Sequence, residues 1–325
     1  MSTGTEGSST GRWKGERFLA AVFVVGSLLL GACGGGGGGG AGSSGEPVNF
    51  GTVDWPEAIA KTNVSAEMVQ ALGYETEVQT LSVPLVFQGL ETGDLDLFVE
   101  AWFPTMQTNM EAVDPDEVKS VTTNLPEATF SVAVNKAACD AGVTSHEDLD
   151  GFKDEFGGRI YGIEPGNDGN QVVLDMIKND TYGLGDWEIV ESSTSGMLSE
   201  VDKAVREGEW VAFTGWEPHW MGQKYDMCLL EDPEEAWGGT SHVETLANAE
   251  LEESHPEVWQ LFEQMKVNKD IQGYWIDQID NSDKEPEEIA VDWLRDNPEV
   301  TDRWMEGVEA ADGTPGAEAL KAHLE

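Results

Sequence analysis

Residues 48–53 form a short apolar run, and the apolar positions Ile59, Val64, Met68 and Leu72 then recur at helical spacing as far as Gly73. The pattern predicts a strand followed by a helix that opens at Pro56, a residue suited to a first helical turn, with Asp54 as its cap. A strand over 75–81, a short helix over 84–90 and a strand over 95–99 complete the first set. Strands and helices alternating at this spacing indicate βαβ units on a largely parallel sheet. A second set of similar construction follows. Strands are predicted at 129–134, 159–163, 187–191 and 210–214, with helices over 145–156, 172–177 and 197–206. From Val243 onward the pattern reads as helical, with helices over 251–265, 286–294 and 300–308 carrying apolar stripes on acidic faces. The fold class expected is α/β, with two lobes of mostly parallel sheet flanked by helices and a helical C-terminal region. Crossovers near 124–129 and 236–242 make lobe 1 discontinuous, 48–126 with 238–325, and leave 127–237 as lobe 2.

Composition changes this picture mainly through charge. Lys and Arg total 18 against 62 Asp and Glu, a formal net charge of −44. Such a surface repels nucleic acid and anionic lipid, and it mildly favours cationic ligands. The N-terminus carries a basic stretch (Arg12, Lys14, Arg17) and an apolar run over 18–30, too short to span a bilayer comfortably. It ends in Leu30-Gly31-Ala32-Cys33, which resembles a bacterial lipobox. Residues 1–32 are therefore expected to be a lipoprotein signal peptide, with Cys33 the site of lipid attachment. Residues 33–47, rich in Gly and Ser, form a flexible tether. The expected product is an exported, largely monomeric soluble body anchored by lipid to the outer face of the cytoplasmic membrane. Cys139 and Cys228 remain, a pair consistent with one disulfide in this compartment; two buried thiols are the alternative.

Candidate chemistry lies in a repeated device. Trp55, Trp102 and Trp216 are each expected just past a strand end, with Pro56, Pro104 and Pro218 close behind. Any single Trp among the 12 reads first as packing. Three on rigidly turned strand ends suggest instead a shared site, because Pro is excluded from interior strands and loops carry function. In open α/β sheets ligands bind beyond the carboxyl ends of the strands. Converging indole faces suit a soft organic cation held by cation–π attraction. Enzymatic signatures such as G-x-S-x-G, a Walker A loop, H-E-x-x-H and C-x-x-C are missing from the sequence. The five histidines form no close ligand pair, and the acidic run 277–288 lacks the spacing of a calcium loop, so neither metal nor cofactor is expected. The loop EPGNDGN (164–170) would repel an anion through Glu164 and Asp168.

On these residues the mature chain resembles the substrate-binding proteins of ABC importers for choline and glycine betaine. The matching stretches are LGYETEVQTLSVPLVF (72–87), W-x-P-T-M (102–106), IYGIEPGNDGN (160–170), VESS with GML (190–198) and GWEPH (215–219). The resemblance implies a venus-flytrap fold, a quaternary amine as ligand, and a membrane permease and ATPase as partners. It also implies an aromatic box of Trp55, Trp102, Trp216 and Phe130, with Asn167 as a polar contact and Glu57 at the position of a hydroxyl acceptor. Phe130 stands where choline-binding members have Tyr, and Glu57 where they have Asp. His242 is a further candidate, for a ligand carboxylate. The competing classes are a sensor with the same cleft and no transport, and an exported hydrolase.

Overall fold

Short β-branched and aromatic runs bounded by Pro, Gly and acidic turns build the strands of this protein, and their burial decides where each lies. The structure, a computed structural model, describes residues 47–325; the expected signal peptide, Cys33 and all of the tether before Pro47 lie outside them. The strands are β1 (Val48–Thr52), β2 (Thr76–Thr80), β3 (Leu97–Phe103), β4 (Val118–Val134), β5 (Arg159–Tyr161), β6 (Glu188–Val190), β7 (Ala212–Glu217), β8 (Cys228–Leu229) and β9 (Ser241–Asn248). Their order in the sheet is β2-β1-β3-β9-β4-β7-β5-β6, with β8 paired to β4.

Parallel pairing of β1 with β2 and β3, and of β5 with β6 and β7, matches the βαβ expectation at both ends of the sheet. The centre is antiparallel: β9 lies between β3 and β4, and β4 also pairs with β7. One expectation fails here. Residues 243–248 are not helical but continue β9, whose half-buried His242 and Glu244 alternate with buried Val243 and Thr245. That alternation is too short to stand out beside the helical stretches after it. The stretch 124–129 lies within β4, which pairs with β9 as far as Ala128 and with β7 from Thr129 onward. Register shifts around Leu125 accommodate Pro126 there, as bulges do when a strand must bend.

Helix Pro56–Ala71 opens as expected at Pro56, but its N-cap is Trp55 and no side chain caps it, so Asp54 does not have that role. The helix expected over 145–156 is three short pieces, started by a capping box at Ser145. The one expected over 251–265 is divided at Pro256, which cannot donate a hydrogen bond inside a helix. Helix Lys269–Asn281 was not anticipated; the acidic run begins within its last turns. Trp275, Trp293 and Trp304 pack together in the core beneath helix Pro56–Ala71, so for these three Trp the packing reading is the right one. Cys139 and Cys228 are joined as a disulfide, with Cα atoms 6.0 Å apart, that fastens helix Lys136–Asp140 to β8.

Candidate ligand-binding site

The two central strands with Trp near their ends carry that residue differently from the expectation. Trp102 and Trp216 are the penultimate residues of β3 and β7, inside the strands and not beyond them. Each is followed by one more paired residue and then by a cis X-Pro bond, Phe103–Pro104 and Glu217–Pro218. Trp55 does lie past its strand, in extended conformation at the helix N-cap, with Glu57 in the first turn behind it. Phe130 on β4 is the cross-strand neighbour of Trp216. Asn167 caps helix Asp168–Asn179, its side-chain oxygen accepting from the Asn170 amide at 3.1 Å.

These side chains meet. Trp55, Glu57, Trp102, Phe130, Asn167 and Trp216, together with Ile163, line one small pocket. Phe130 sits centrally, its ring centroid 5.9 Å from Trp102, 5.8 Å from Trp216 and 5.0 Å from Trp237, all edge-to-face. A Cβ on Gly169 would lie 2.3 Å from the far carbon of the Phe130 ring, so glycine is what leaves the ring its place. The indole N–H of Trp55 donates to Glu164 at 2.8 Å, and that of Trp102 to Glu100 at 3.1 Å. The Trp216 N–H is buried with no partner among the described residues. Behind Trp216 the buried His219 packs at 5.1 Å; burial pushes its imidazole down to about 3, so it is a neutral wall at ordinary pH.

Beneath the first wall lies a buried charge cluster. Lys61 and Glu100, both fully buried, form an ion pair; Gln272 donates to Glu100 at 2.8 Å and Lys61 to Asn124 at 2.9 Å. Burial pulls the Lys61 ammonium below its ordinary value, opposed by the attraction of Glu100 and Glu57. Glu57 is 2% exposed, and its Oε2 has no hydrogen-bond partner among the described residues. Burial holds its carboxyl well above the ordinary range, and the nearby Glu100 and Asp280 charges add to this; its own backbone amide and Lys61 oppose. Asp168, next to Asn167, is pushed up to about 6 by burial despite a hydrogen bond from Thr105.

His242 does not join the cavity. Its Nε2 is 3.0 Å from Glu244 and its ring stacks on Phe103. The sequence reading missed Ile163, the Glu100–Lys61 pair and Trp237. A signal existed for the pair: a lone acid inside the apolar run LFVEAWF (97–103) and a lone base on an otherwise small-residue stretch of helix. Among the described residues there is no group of three potential metal ligands, and no helix long and apolar enough to cross a membrane.

Comparison with known proteins identifies the fold and the family. A choline-binding protein of an ABC transporter, solved in complex with choline, is 36% identical with a TM-score of 0.82; the match covers 86% of this chain and 98% of that one. Lactococcal OpuAC, in its closed-liganded conformation with glycine betaine, is 27% identical with a TM-score of 0.72, over 80% of this chain and 99% of its own. The glycine betaine/carnitine transport binding protein GbuC of Listeria monocytogenes is 30% identical over 180 residues, 54% of this chain and 59% of that protein. The fold is the two-lobed α/β fold of these binding proteins. Residues 46–296 match OpuAC, the substrate binding domain of ABC-type glycine betaine transport systems, and the chain belongs to that family.

Proposed function

We propose that this protein captures a quaternary ammonium compound, choline or a betaine, in the cavity of Trp55, Trp102, Phe130 and Trp216, and delivers it to a membrane permease driven by an ATPase. One observation carries the reading: four aromatic rings, from residues 55 to 216, line one pocket together with Glu57, whose Oε2 has no hydrogen-bond partner among the described residues. A trimethylammonium group donates no hydrogen bonds, so ring faces serve it better than oxygen ligands. At about 0.5–2 kcal/mol per ring, four rings supply roughly 2–8 kcal/mol. A few polar contacts then bring affinity toward the micromolar range, about −8 kcal/mol.

In this reading 48–126 with 238–325 forms one jaw of the clamp and 127–237 the other. Trp55 and Trp102 receive the ligand, and closure brings up Phe130, Trp216 and Asn167. The hydrogen bond from Trp55 to Glu164 would then form between the jaws. Lipid at Cys33 and the tether over 33–47 would keep a monomeric body beside the permease.

The test is intrinsic Trp fluorescence and calorimetry of the purified full chain with choline, glycine betaine and proline betaine. Saturable binding of at least one is expected, weakened by about 1–3 kcal/mol in Trp102→Ala and in Trp216→Ala. Silence toward all three ligands, or unchanged affinity in both variants, would overturn the reading.

A further inference from the structure

We propose that Glu57 selects the tail of the ligand through its own protonation: ionised, it accepts a hydrogen bond from the hydroxyl of a cation such as choline, and protonated, it donates one to the carboxylate of a zwitterion such as glycine betaine. The inference rests on the quaternary-amine reading above and deepens it.

The cavity offers few donors to a ligand carboxylate. None of the side chains lining it is cationic, so a ligand carboxylate would meet no fixed positive charge there. The Trp55 and Trp102 N–H groups are already committed to Glu164 and Glu100. The amide nitrogen of Asn167 is turned to Asp168 at 3.2 Å. Among the lining side chains that leaves the Trp216 N–H and Glu57, whose Oε2 is buried and unpartnered among the described residues.

Charge balance decides what Glu57 does next. On its own helix it faces Lys61, on β3 Glu100, and on helix Lys269–Asn281 Asp280. Lys61 is matched by Glu100 in the ion pair, so it does not balance Glu57. Across the cavity Glu164 already accepts from Trp55, and Asp168 from Asn167. A cationic ligand balances the charge of ionised Glu57, whereas a zwitterion leaves that charge unbalanced unless Glu57 is protonated. The combinations left over place an unbalanced charge in a site shielded from water, which is costly. Burial and the two neighbouring acids favour the protonated form of Glu57, while its own backbone amide and Lys61 favour the ionised one.

Above the midpoint of free Glu57, binding of glycine betaine takes up one proton; below it, binding of choline releases one. The experiment measures dissociation constants of the full chain for both ligands from about pH 5 to about pH 9, spanning the ordinary carboxylate range and well above it. Calorimetry in two buffers of different ionisation enthalpy counts the protons. Opposite pH slopes are expected. Glycine betaine should weaken about tenfold per pH unit above the midpoint, and choline about tenfold per unit below it. In Glu57→Gln, whose amide donates at every pH, both slopes should flatten. Parallel or flat profiles in the unmutated protein, or no proton exchange, would overturn the inference; these measurements do not depend on the variant folding. A slope that survives in Glu57→Gln also overturns it and moves the titration to another group, Asp168 foremost. Binding of one ligand class alone at every pH would sink the inference and leave the quaternary-amine reading standing, whereas no binding of either at any pH would end both.

Discussion

The two walls of the cavity are held in place by different physics. On the first, Trp55 and Trp102 donate to carboxylates, and Trp102 is tied through Glu100 to Lys61, Gln272 and Asn124. On the second, Trp216 and Trp237 have buried N–H groups without partners among the described residues, and Phe130 is fixed by ring edges and the bare backbone of Gly169. A hydrogen-bonded wall has direction and a large penalty for breaking. A wall of packed rings has shape and tolerates exchange of one ring for another. For a cation without donors, the second kind of wall suffices; the first adds a negative field beneath the rings.

Mutations separate the two. The largest effect is expected from Lys61→Met, which strands Glu100 as a buried unpaired charge: about 3–5 kcal/mol of stability in urea denaturation. A cost below about 1 kcal/mol would mean that charge does not hold the first wall. Next comes a matched pair. Trp102→Phe removes a hydrogen bond to a charged acceptor and should cost about 1.5–3 kcal/mol, whereas Trp216→Phe deletes an N–H that has no partner and should cost about 1 kcal/mol or less. Equal losses in thermal or urea unfolding would erase the contrast. Gly169→Ala should displace the Phe130 ring at about 1–3 kcal/mol of overpacking strain, with weakened quaternary-amine binding by calorimetry as its second sign.

A further effect concerns Asp168, and its sign runs against the usual carboxylate. Its folded value, about 6, lies above the unfolded one. Its contribution to stability is therefore full below the unfolded value and is lost as pH rises through about 6. Asp168→Asn should accordingly gain about 1–2 kcal/mol relative to the unmutated protein at neutral pH and nothing at strongly acid pH. Unfolding free energies at the two pH values check this; a variant less stable at neutral pH would mean the hydrogen bond from Thr105 outweighs burial.

Much of the site was legible in the sequence because the relevant signals are local. A Trp beside a Pro at the end of an apolar run marks a strand terminus whatever its neighbours, and Trp55, Trp102 and Trp216 carry that mark. The placement was off by a residue or two for Trp102 and Trp216, since β3 and β7 continue to the residue just before Pro. His242 was drawn toward the site by its region of the chain, yet the register of β9 against β3 sets it beside Phe103 and Glu244. Trp237 carried no local signal at all; it matters because β4 brings Phe130 against it.

What the sequence determined by itself were the alternating elements, the aromatic residues at their ends, the charge and the family, for each is written in periodicity or in motif. What only the tertiary structure decided is who faces whom. β9 became the antiparallel centre of the sheet, Lys61 found Glu100 on another element, and Glu57 came to lie buried against two further acids, Glu100 and Asp280. The physical reason is range. Local backbone preferences act over a few residues, whereas burial and the electrostatics it strengthens depend on groups tens to hundreds of residues apart, which meet only when the sheet is complete.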